Sequence, residues 1–106
     1  MGKYLFEAKY SAEGAKAVAR DGGSARRAAV EKAVSASGGR LESFYFAFGG
    51  TDAYVVVDLP DNVTAAAIAL AVSQSGLAST KTIVLLTPED VDAASKKSVS
   101  YRPPGG

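Results

Sequence analysis

The stretch Arg40–Leu59 reads RLESFYFAFGGTDAYVVVDL, and it decides the fold. Aromatic and β-branched residues fill both halves, and Gly49-Gly50-Thr51-Asp52 stands between them. Broad, stiff side chains of this kind suit a pleated surface, so each half reads as a strand. A short glycine-rich link between two strands makes an antiparallel hairpin. The strands are Arg40–Phe48 and Ala53–Leu59. By period two, Phe44, Phe46 and Phe48 share one face of the first, and Leu41, Tyr45 and Ala47 share the other. The second carries Tyr54, Val55, Val56 and Val57 without a polar break.

Upstream, Lys3–Tyr10 alternates. Tyr4, Phe6, Ala8 and Tyr10 face one way; Lys3, Leu5, Glu7 and Lys9 face the other, as in a half-buried strand. Ser11 is placed to cap the helix that follows. Asp21-Gly22-Gly23 interrupts the helical pattern, and Ser24 is the expected cap of a second stretch containing Val30, Ala33, Val34 and Ser37. Gly38-Gly39 ends it, since glycine adopts the left-handed C-terminal conformation at little cost. Downstream, Pro60-Asp61-Asn62 opens a helix to about Ser75, carrying Ile68, Leu70 and Val72, and Gly76 stops it. Leu77–Leu86 is a fourth strand. Thr87-Pro88-Glu89-Asp90 starts a short helix to about Lys97, with acids at the positive end of its dipole.

The order βαββαβ plus a C-terminal helix predicts an α+β, ferredoxin-like fold, with a four-stranded antiparallel sheet covered by helices on one face. One domain spans residues 1–98, with a flexible tail over 99–106. The strands look apolar on both faces, whereas a sheet with one wet face alternates more cleanly. The second face is therefore expected to be covered. A second copy would pair with it as a dimeric α/β barrel; the alternative is that the C-terminal helix and tail fold back over it.

Composition narrows the function. Among 106 residues, 12 Lys+Arg against 11 Asp+Glu leave a net charge of +1, too weak a field for nonspecific capture of nucleic acid or acidic membranes. There is no Cys and no His, which removes disulfides, thiolate chemistry, the usual zinc ligands and the commonest general base. No metal or cofactor is expected. Neither glycine pair fits a Walker loop or a dinucleotide fingerprint. Asp52-Ala53-Tyr54-Val55-Val56-Val57 lacks the basic and aromatic pattern of RNA-recognition strands. Lys3, Glu7 and Lys9 interrupt the N-terminal apolar residues, and Ala65–Val72 is too short to span a bilayer. Gly2 is not followed by the Ser or Thr at position 6 that myristoylation needs, since that residue is Phe6. A cytoplasmic protein is the expectation.

Candidate ligand-binding residues are Tyr10, Tyr45, Asp52, Tyr54, Thr80 and Thr82. Tyrosines on sheet strands suit a pocket wall with hydroxyls inside it, or equally a core or dimer contact. Asp52 is either a ligand anchor or a turn aspartate bonding backbone. Thr80 and Thr82 put two hydroxyls on one strand face, with Lys81 on the other. Asp58 interrupts an apolar strand, which suits an ion pair with Arg26 or Arg27. If the protein is an enzyme, acid–base work falls to Asp52, Glu42, Asp58, Tyr or Lys.

From Tyr4 to Ala94 the chain resembles the GYD domain family. The matching pieces are Ala8-Lys9-Tyr10-Ser11-Ala12-Glu13-Gly14, Arg26 or Arg27, Gly38-Gly39-Arg40-Leu41 into Phe44-Tyr45, Gly50-Thr51-Asp52, Pro60-Asp61, Thr80-Lys81-Thr82 and Thr87-Pro88-Glu89-Asp90. The naming motif's Tyr is Thr51 here, so any role of that Tyr is lost or moved to Tyr54. Asp58 stands where Glu is expected. The resemblance implies the dimeric α/β barrel group, whose relatives include cofactor-independent monooxygenases, isomerases and ligand-sensing modules. Fold kinship transfers none of those activities. The expected function is a homodimer that binds a small organic molecule; the alternatives are a cofactor-independent enzyme and a protein-interaction module.

Overall fold

The computed structural model describes residues 1–106. The elements are β1 (Gly2–Tyr10), α1 (Ala12–Asp21), α2 (Gly23–Ala36), β2 (Arg40–Phe46), β3 (Ala53–Leu59), α3 (Asn62–Gln74), β4 (Ala78–Leu85) and α4 (Pro88–Ser95). The four strands form one antiparallel sheet in the order β2-β3-β1-β4. This is the expected ferredoxin-like α+β arrangement. No helix is long and apolar enough to cross a membrane.

Local sequence sets the element ends. The Ser11 hydroxyl accepts the Gly14 N–H, and the Asp61 carboxylate accepts that of Thr64. Thr87 and Asp90 form a reciprocal capping box at α4. Ser24 does not cap α2. Gly22, at φ +89°, turns the chain so sharply that one residue separates the helices, and α2 begins at Gly23, ahead of Ser24. At Gly14 an added Cβ would lie 1.9 Å from the Leu77 carbonyl oxygen, so α1 closes on the start of β4 only because that residue has no side chain.

The core lies between the sheet and α2 and α3. Tyr4, Phe6, Val34, Ala53, Val55, Val57, Leu59 and Ala65 are buried there as one cluster. Cross-strand neighbours Tyr4, Val57 and Val84, and Phe6, Val55 and Thr82, share that face. The strict alternation expected for β2 fails at one point. The register slips between Leu41 and Ser43, which puts Leu41 opposite Val57 and Phe44 opposite Val55. A bulge inserts one residue, so Leu41 joins Phe44 on the core face and does not oppose it. Ala47 and Phe48 lie beyond the strand, and Phe48 is fully exposed.

The other sheet face is uncovered. Its middle row runs Ser43, Val56, Leu5, Ile83 across the four strands. On one side lies Arg40, Asp58, Lys3, Leu85; on the other, Tyr45, Tyr54, Glu7, Lys81. An apolar centre with charged flanks therefore replaces the continuous apolar face expected from β3 and β4. α4 does not fold back over it, since every residue from Pro88 to Gly106 is exposed. The chain measures 55 × 33 × 22 Å with a radius of gyration of 16.8 Å, against ~13 Å for a globular domain of this length.

Candidate functional site

A cleft of about 470 Å³ opens between α1, α2 and the end of α3, at the C-terminal end of β1. Small residues make the room: Ala17, Ala25, Ala29 and Ala71 line it. Tyr10, Arg26, Val72 and Ala78 line both this cleft and a smaller apolar void of about 50 Å³ between the sheet and the helices. Phe6, Phe44, Val55, Ile68 and Thr80 are among the residues that wall that inner void.

Asp52 fixes the site from outside. Its carboxylate oxygen Oδ2 accepts the Tyr10 N–H at 2.8 Å. Its own N–H donates to the Ala8 carbonyl at 2.8 Å, and its carbonyl accepts the Ala47 N–H at 2.8 Å. One residue thus ties β1, the exit of β2 and the entry of β3. Asp52 reaches a neighbouring strand, a longer-range bond than that of a turn aspartate on its own loop. It positions Tyr10 and takes no place in the cleft wall.

Arg26 is the unpaired charge in the cleft. Its guanidinium carbon lies 5.9 Å from the Tyr10 ring centroid, within cation–π range. Its Nε is buried and has no hydrogen-bond partner. None of the molecule's ion pairs includes it. Arg20 and Asp21, also on the cleft wall, are paired with each other at 2.9 Å, and that bond holds the Asp21 carboxyl below its ordinary range.

The sequence-predicted residues separate into two groups. Tyr10 and Thr80 meet at the inner void. Thr80 and Thr82 also line a groove between α3 and β4, with Tyr4, Leu70 and Val84. Tyr45 and Tyr54 are cross-strand neighbours on the uncovered face, where Tyr45 is 71% exposed. Thr51, the residue in place of the motif's Tyr, donates its hydroxyl to Glu7 at 3.3 Å near the same face.

Asp58 is in an ion pair, but not with Arg26 or Arg27. Val57 and Leu59 are buried, so alternation turns Asp58 away from α2. Its partners are Lys3 at 3.0 Å and Arg40 at 2.9 Å, and Lys3 also bonds Glu42 at 2.7 Å. The Lys3 hydrogen bond, then charge and the Arg40 bond, hold the Asp58 carboxyl below its ordinary range against the effect of desolvation. Glu42 and Asp58 carry the same chemistry as any acid–base pair, but both are occupied in this network.

The sequence named Arg26 or Arg27 as an ion-pair partner and as part of the family likeness, but not as a cleft residue; the signal for that role is a spacing. Arg26, Val30 and Val34 recur every four residues, one stripe of a helix, and Val34 is buried. An arginine on an apolar stripe is the signal that marks it.

Fold and cleft define a ferredoxin-like α+β domain with a ligand-sized cavity on its helical side. The GYD domain pattern matches residues 4–95, and the chain belongs to that family. No curated protein and no solved structure matches the chain.

Proposed function

We propose that the protein is a homodimer that binds a small organic molecule in the cleft between α1, α2 and α3. The cleft itself carries this reading. Its volume of about 470 Å³ falls in the range of small-molecule sites, ~300–1,000 Å³, which combine apolar walls with a few polar groups. Here those groups are Arg26, the Arg20–Asp21 pair, Ser75 and Tyr10.

Pairing through the uncovered sheet face is supported by surface arithmetic. The chain exposes 7247 Å². A folded monomer of this size exposes roughly 5,500 Å², and a standard interface removes about 800 Å² from each partner. The excess of roughly 1,700 Å² is about twice what one such interface removes, and the exposed segment Pro88–Gly106 contributes to it together with the sheet face. The row Val56, Leu5, Ile83 flanked by charges has the apolar centre and polar rim that interfaces share. Asp52 lies outside the cleft wall and bonds the Tyr10 amide, which favours a binding role for the cleft over acid–base work by Asp52 in it.

Native mass spectrometry from gentle buffer tests both parts. The expected result is a dimer, with any retained ligand appearing as a fixed added mass. Ile83→Lys, at a 40% exposed position, should shift the population to monomer without unfolding it. A monomeric wild-type protein at micromolar concentration would overturn the dimer.

A further inference from the structure

We infer that the cleft takes a small organic carboxylate, with Arg26 as its anion anchor. This rests on reading the cleft as the ligand site, and it names the chemical class that fits. A guanidinium is charged at every physiological pH and presents a planar fork of donors that matches a carboxylate. Arg26 has that fork at the boundary of an apolar cavity and no carboxylate of its own chain to meet it. A partly desolvated charge without a partner is unfavourable, so the site is incomplete as it stands. The one acid on the cleft wall, Asp21, is already bonded by Arg20 through two contacts, at 2.9 and 3.2 Å. It adds no compensation for Arg26.

Two further features fix the ligand's shape. The guanidinium carbon lies over the Tyr10 ring, 5.9 Å from its centroid, and this cation–π contact restrains the fork beside the cavity that both residues line. Val18 and Val72 offer apolar wall beside it. The ligand is therefore amphipathic: a carboxylate at Arg26 and an apolar body along the valines. Thr80, on the wall of the inner void, has a hydroxyl that can bond a second polar atom.

The test uses benzoate and its neutral counterpart benzamide as probes of the full chain. Amide and side-chain Nε–H resonances are followed by NMR, and affinities by titration. Benzoate should shift the Arg26 Nε–H and the Tyr10 amide, and bind at least tenfold more tightly than benzamide. Arg26→Met, which keeps the apolar stem, should abolish that preference. Because it removes an uncompensated charge, it should also leave the ligand-free melting temperature unchanged or higher. A structural arginine would give the opposite, a marked fall in melting temperature. Equal binding of the two probes in the cleft would overturn the carboxylate assignment and leave the small-molecule reading standing. Binding of neither probe at millimolar concentration would overturn both. Shifts confined to Tyr45 and Tyr54 would move the site to the sheet face and overturn both as stated.

Discussion

Replacing Asp52 with Ala should destabilise the fold by about 2 kcal/mol, because it leaves the Tyr10 N–H without its acceptor. The magnitude follows from the bond. A hydrogen bond to a charged group contributes roughly 1.5–3 kcal/mol, and an orphaned donor adds its desolvation cost. The Asp52 bond is short, at 2.8 Å, and half-buried, so the middle of that range applies. The two backbone bonds of Asp52 survive in the variant, which limits the loss. For a domain of this size each kcal/mol moves the midpoint by ~4–8 °C, so the melting temperature should fall by about 10 °C. Asp52→Asn keeps an acceptor oxygen and should lose only ~1 kcal/mol or less. Urea unfolding at fixed protomer concentration measures both variants, and hydrogen exchange at the Tyr10 amide reports the bond directly. The exchange should quicken strongly in Asp52→Ala and weakly in Asp52→Asn. Unchanged stability and unchanged Tyr10 protection in Asp52→Ala would refute the reasoning. Equal losses in the two variants would show that the negative charge, not the acceptor, is what the fold uses.

Gly14→Ala should cost about 1–3 kcal/mol by overpacking, since its Cβ would meet backbone that cannot rotate away; urea denaturation checks it. Leu59→Ala, at a fully buried position, should cost ~2–5 kcal/mol through the lost burial and the cavity left behind. The Asp58 carboxyl lies below its ordinary value of 3.8, so its contribution is complete above that pH and is lost as pH falls through the folded value. Stability measured from pH 5 down to pH 2 should therefore fall less steeply in Asp58→Asn than in the wild type. Lys3 has the opposite sign. Its value is raised above 10.5, chiefly by the Glu42 bond, so its contribution is complete below that pH and lost as pH rises beyond it. Lys3→Met should flatten the alkaline limb of the same curve.

Most of the fold was readable because its signals are local. Alternation in Lys3–Tyr10, the valine run of β3, and the caps Ser11, Asp61 and Thr87 each act within a few residues. The bulge between Leu41 and Ser43 was not readable, because strict alternation and a one-residue slip give equally plausible faces until the partner strand fixes the register. The same holds for ion pairs. Asp58 was visible as a charge in an apolar strand, but Arg40 and Lys3 reach it only through the pairing of three strands. The candidate site was half legible. Tyrosines and threonines on strands suggested a pocket, yet strand parity alone sends Tyr10, Thr80 and Thr82 to the helical side and Tyr45 and Tyr54 to the other.

Charge is treated differently on the two faces of the sheet, and that contrast ties the parts of the functional reading together. On the uncovered face the row that includes Asp58 is fully matched: Lys3, Arg40 and Glu42 satisfy one another within a single chain. That row can approach a second copy without leaving an isolated ion behind, while the apolar row beside it supplies the driving force; Glu7 and Lys81 on the other flank form no ion pair within the chain. On the helical side, Arg26 has no such partner. A matched row is compatible with the proposed pairing of two copies, and an unmatched guanidinium with the proposed carboxylate ligand. Asp52 connects the two sides, because the loop it anchors carries Thr51 toward Glu7 on one face while its carboxylate fixes Tyr10 beneath Arg26 on the other. A ligand that tightened on Arg26 and Tyr10 would act on the same loop that borders the uncovered face. If the protein pairs and binds a ligand as proposed, the two events share the Asp52 loop, and Asp52→Ala should weaken any coupling between them, read as the change in dimer affinity at saturating benzoate.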